Sequence, residues 1–231
     1  MSLLPSNLSP DSIIWAITSP LIYGVICTRV NRATILPMFA AAFAVGFLTS
    51  YVAYIAEFSL AVSGFEVGSK HSWIEFSTLV ALPEETVKLA ALIGLTHNVE
   101  SRSRASLIMA CFIGCGFAAS ENLVYLSRFG GEVISLRFLT ATAFHVFNAI
   151  LMARLLVTKT VTDDSFRMVL ALLIPVFLHA TYDYLVVQQA QDGGRFVFVL
   201  GFAVAAGFIT LRTYPLGVQQ RPILAKKSET P

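Results

Sequence analysis

Four short stretches hold residue types suited to hydrolytic chemistry: Leu82-Pro83-Glu84-Glu85-Thr86-Val87-Lys88, Gly116-Phe117-Ala118-Ala119-Ser120-Glu121-Asn122, Phe144-His145-Val146-Phe147-Asn148, and His179-Ala180-Thr181-Tyr182-Asp183. A buried carboxylate can act as general base on a water molecule. Histidine and asparagine can donate hydrogen bonds to a developing oxyanion. Alternatively, His145, His179, Glu85 and Glu121 are ligand types that could hold zinc with one position open. The chain has no His-Glu-x-x-His pair and no Gly-x-Ser-x-Gly turn, so neither an ordinary zincin nor a serine nucleophile is encoded.

Spacing refines the set. Glu84 and Lys88 are i and i+4 and share a helix face. Glu85 is turned roughly 100° from Glu84, so the two acids are expected to have different tasks. His179 and Asp183 are also i and i+4; His145 and Asn148 are i and i+3 and are expected to line one cavity. Pro83 and Pro175 each remove a helix hydrogen bond beside these residues. Gly114 and Ala118 give their helix a small face for close packing.

The elements carrying these residues are membrane helices. Of 231 residues, 56% are hydrophobic and 13% charged. Soluble domains carry ~25% charged residues, so an ordinary soluble enzyme and a disordered chain are excluded. The net charge of +2 gives no reason to expect nucleic acid. Cys27, Cys111 and Cys115 lack metal-site or disulfide spacing and read as small packing residues. Residues 1–12 carry no lysine or arginine, so no cleavable signal peptide is expected.

Apolar runs predict an all-α, polytopic bundle of about seven transmembrane helices near 12–28, 35–58, 73–96, 105–127, 138–158, 167–187 and 196–214. The first is the weakest because Pro20 interrupts it. The whole of 1–231 is expected to be one integral membrane domain, with its core bundle at about 73–187 and a basic cytoplasmic tail at 215–231. Eleven lysines and arginines fall on one set of helix ends and four on the other, which predicts an outer N-terminus and a cytoplasmic C-terminus in the plasma or inner membrane. Ionisable residues inside membrane helices are functional by default. With this topology, Glu84, Glu121, His145 and His179 fall in one layer in the outer half of the bilayer.

The ordered set Pro-Glu-Glu-x-x-Lys at 83–88, Gly-Phe-Ala-x-x-Glu-Asn at 116–122, Arg137 eight residues before His145, and His-x-x-x-Asp at 179–183 resembles the PrsW-type intramembrane proteases. That group is related to the CAAX prenyl endopeptidases and the bacterial CPBP/Abi proteins. The resemblance implies a multi-pass endopeptidase that cuts a membrane-anchored protein, for example an anti-sigma factor. On that reading Glu84 or Glu85 activates water, Glu121 and His145 assist proton movement, and His179 stabilises the oxyanion. Lys88, Asn122, Arg137, Asn148 and Asp183 support them. Where many relatives have asparagine this chain has Asp183, which either orients His179 or is itself protonated. No cofactor is required by the glutamate mechanism; zinc is the alternative. A different class, a proton- or ion-coupled transporter, would use the same intramembrane Glu/His/Asp cluster.

Overall fold

The computed structural model describes residues 9–28, 36–62, 70–97, 104–157 and 163–192. These are all-helical, with no strand among the described residues. The order is α1 (Pro10–Thr28), α2 (Leu36–Val62), α3 (Lys70–Thr96), α4 (Arg104–Phe129), α5 (Glu132–Arg137), a π-helical turn (Phe138–Thr142), α6 (Ala143–Val157) and α7 (Asp164–Asp192). The expected seventh segment at 196–214 and the tail at 215–231 lie outside the described residues.

Among the described residues, four stretches are long and apolar enough to cross a membrane: Pro37–Ser59, Ala105–Phe129, Ile134–Val157 and Asp164–Val186. The protein is a multi-pass membrane protein. α1 is a shorter apolar helix. α3 has 27 residues, but the charges of Glu84, Glu85 and Lys88 keep it out of that apolar class.

Burial sorts the helices. The apolar stretch of α4 is 78% buried and that of α5–α6 is 72%, against 22% for α2 and 28% for α7. So α4 and α6 form the centre, while α2 and α7 present Leu48, Ile55, Phe58 and Phe177 outward. Small residues allow the central crossings. A Cβ on Gly116 would collide with the Phe43 carbonyl of α2, and one on Gly114 would come within 2.8 Å of the His145 carbonyl and the Val146 Cα of α6. The core that results includes Leu92, Met109, Ile113, Val146, Ile150 and Met152.

Two expectations about helices are corrected. The fifth segment does not begin at 138. It begins at Glu132 and runs through the π-turn into α6, so hydropathy alone missed the polar first turns. Pro20 does not break α1. It leaves the Ala16 carbonyl without its helical donor, and the Asn122 amide of α4 donates to that oxygen at 3.4 Å.

Candidate active site

α3 is the centre of the site. Lys88 is fully buried, and its ammonium has three hydrogens to place. Three acceptors surround it: Glu85 Oε1 at 2.8 Å, His145 Nδ1 at 3.1 Å and Glu84 Oε2 at 3.4 Å. The Phe117 ring lies beneath it, 3.8 Å away. A lysine reaches both the i−3 and the i−4 position, so one cation serves both glutamates.

The acids share Lys88 and His179 but not their surroundings. Glu85 Oε1 accepts from His179 Nδ1 at 2.7 Å, while Glu85 Oε2 is buried with no donor. Glu84 lies 3.7 Å from His179 Nε2, and it alone of the pair lines the cavity. His179 Nε2 also lies 3.6 Å from Asp183 Oδ2. The expected i, i+4 relation of His179 and Asp183 is therefore met as a loose contact.

His145 has both ring nitrogens engaged. Lys88 can only donate, so Nδ1 accepts and Nε2–H donates to Glu121 Oε2 at 2.6 Å. The same carboxylate oxygen accepts from Arg137 Nη2 at 2.8 Å. Arg137 also donates through Nε to Asn122 Oδ1 at 3.0 Å and stacks 3.6 Å over the Tyr125 ring. Asn122 completes its amide with Thr142 Oγ1 at 3.2 Å.

The π-turn makes this convergence possible. Eight residues of straight α-helix would set Arg137 and His145 roughly 80° apart. A five-residue π-turn, at roughly 82° per residue, brings them to within roughly 10° of one face. Both then meet Glu121.

A cavity of about 260 Å³ adjoins this cluster, walled by α2, α3, α4 and α7. Glu84, Glu121, His179 and Asp183 line it. His145 and Asn148 do not, contrary to expectation. His145 is sunk behind Glu121, and Asn148 donates to the Pro175 carbonyl at 3.1 Å, tying α6 to α7.

The potential metal ligands are Glu84, Glu85, His145 and His179, which offer one atom each within 4.8 Å of one another. Glu84 stands there in place of the expected Glu121, whose oxygen is taken by Arg137 and His145. Two carboxylates and two imidazoles suit a hydrolytic zinc, and the unpartnered Glu85 Oε2 suits a further bond. The Lys88 ammonium already contacts three of these four side chains.

Sequence reasoning missed Ser50, Tyr54 and Glu57 of α2 and Arg128 of α4, all lining the cavity. The spacing i, i+4, i+7 puts the α2 residues in one stripe. Glu57 is also the single charged residue in the 27 residues of α2, and that signal was legible.

A membrane helix bundle that keeps two carboxylates, an ammonium and two imidazoles together beside a cavity has the groups that hydrolysis within a membrane needs. The chain belongs to the PrsW family of intramembrane metalloproteases, whose family model matches residues 35–212. It is a membrane peptidase. α1 precedes the matched stretch. No curated protein and no solved structure matches the chain.

Proposed function

We propose that this protein is an endopeptidase that hydrolyses a peptide bond of a membrane-anchored regulatory protein, such as an anti-sigma factor, in the outer half of the plasma or inner membrane. The observation that carries this reading is that Glu84 and His179 line one cavity while Glu85 and Lys88 hold them from behind.

Glu84 is the general base. It faces the cavity, and its contact with Lys88 is long at 3.4 Å, which leaves a carboxylate oxygen for water. Glu85 is a positioning residue: it accepts His179 Nδ1–H, so Nε2 points toward Glu84 and Asp183. In its doubly protonated form His179 presents Nε2–H to the oxyanion and then to the leaving amine. Lys88 balances both glutamates. Asn122 holds Arg137, Arg137 holds Glu121, which holds His145, and Asp183 orients His179 from the cavity side.

The donor set fits a divalent cation held by Glu84, Glu85, His145 and His179. Such an ion supplies Lewis-acid polarisation of the scissile carbonyl and a more acidic bound water. The family description favours this version.

Seven spans, an outer N-terminus and a cytoplasmic C-terminus complete the proposal, supported by the distribution of lysine and arginine. The test is cleavage of membrane-anchored candidate substrates in proteoliposomes by the wild type and by Glu84→Gln and Glu85→Gln. Loss of cleavage in a folded glutamine variant supports the reading. Full activity in both variants refutes it, and proton or ion movement without cleavage replaces it with transport.

A further inference from the structure

We infer that Glu57 of α2 selects the substrate: it receives a lysine or arginine side chain about three residues from the scissile bond. The inference rests on the proteolytic reading above and adds the substrate class to it.

α2 is a predominantly apolar helix, and Glu57 is its one charged residue. That carboxylate is half-buried and turned to the cavity wall instead of the outward apolar face of Leu48 and Ile55. A charge kept on an otherwise apolar membrane helix and aimed at a cavity calls for a partner. The other site acids have theirs. Glu84 and Glu85 face Lys88 and His179, Glu121 holds Arg137 and His145, and Asp183 faces His179. Glu57 has no hydrogen-bond or ion-pair partner among the described residues.

Arg128 lines the same cavity without neutralising Glu57. It donates to the Tyr54 hydroxyl at 3.2 Å and lies over that ring, one turn before Glu57. Among the described residues, then, Glu57 is an unpaired carboxylate beside a cation that is already held. The partner that fits is a cationic side chain arriving with the substrate.

Its position follows from helix geometry. The Ser50 hydroxyl touches that of Ser120, the neighbour of Glu121, so Ser50 marks the level of the polar cluster on α2. Glu57 is seven residues on, which is about 10 Å along the axis at ~1.5 Å per residue. An extended substrate covers that in about three residues at ~3.4 Å each. The direction is toward the C-terminal ends of α2 and α4, near which Glu57 and Arg128 sit.

The experiment walks a single lysine through positions one to five from the cleavage site of a membrane-anchored peptide, in proteoliposomes. It compares the wild type with Glu57→Gln and Glu57→Lys, reading kcat/KM, and reads photocrosslinking of the same peptides to the Glu84→Gln variant with and without Glu57→Gln. The wild type should prefer lysine about fivefold at one position near the third, the size expected of one partly exposed charge pair. Glu57→Gln should abolish the preference and Glu57→Lys should transfer it to a glutamate-bearing peptide, with cleavage of the neutral peptide retained. No preference in the wild type, or the same preference in Glu57→Gln, overturns the inference. If no peptide is cleaved yet crosslinking follows the lysine and depends on Glu57, proteolysis falls and recognition stands. Crosslinking without that dependence overturns recognition too.

Discussion

The sharpest perturbation is glutamine at each of the paired glutamates in turn. Glu85 Oε1 accepts two charge-assisted hydrogen bonds, from Lys88 at 2.8 Å and His179 at 2.7 Å. A bond to a charged group contributes ~1.5–3 kcal/mol and a neutral one ~0.5–1.5 kcal/mol. A glutamine carbonyl can occupy the same place, so Glu85→Gln forfeits ~1–1.5 kcal/mol per bond, about 2–3 kcal/mol in total, by the same figures. Glu84 stands at 3.4 Å from Lys88 and 3.7 Å from His179, contacts too long to lose much. Glu84→Gln should therefore cost less than ~1 kcal/mol of folding free energy. Activity should run the other way. Removing the general base should lower turnover by about 10²–10⁴-fold, whereas Glu85→Gln should leave a misoriented but working His179. The assays are unfolding by dodecyl sulfate titration in mixed micelles and cleavage of an anchored substrate in proteoliposomes. A Glu84→Gln variant that retains activity, or that is less stable than Glu85→Gln, would refute this division of labour.

Arg137→Lys should lower kcat about 10–100-fold with little change in KM, because one ammonium cannot reproduce the fork on Glu121 and Asn122; equal activity would show that Glu121 is held without it. Gly116→Ala should destabilise the fold by ~1–3 kcal/mol, since the added methyl meets the Phe43 carbonyl; unfolding in micelles checks this, and an unchanged midpoint would mean that α2 and α4 part freely. Chelation should remove activity and added zinc should restore it if Glu84, Glu85, His145 and His179 hold a metal. Indifference to the chelator would leave hydrolysis to Glu84 and His179 alone.

Much of the bundle was legible because hydropathy tracks membrane helices closely. The runs read at 35–58, 73–96 and 105–127 correspond to α2, α3 and α4 within a turn at most boundaries. The polar motifs were also visible, because ionisable residues stand out against apolar sequence. What escaped was rotation. Periodicity indicates which residues share a helix face, but not which face meets which cavity. Thus His145 and Asn148 were expected in a cavity, whereas packing against Gly114 sinks His145 behind Glu121. Glu57 stands alone near one end of an apolar run, without the neighbouring ionisable residues that mark the other motifs. The π-turn left no compositional trace, because Phe138–Thr142 reads as an ordinary apolar stretch.

That turn has a consequence for how the spacing between Arg137 and His145 should be understood. The interval of eight residues belongs to a wound segment with a defect in it, not to a regular helix. Winding the same residues as plain α-helix would leave every chemical group of the site still encoded. Arg137 and His145 would then fall out of phase, and the two hands now gripping the Glu121 oxygen could no longer close on it together. The apolar profile would barely register the loss. How one short stretch is wound, as much as residue identity, is therefore part of what this sequence specifies.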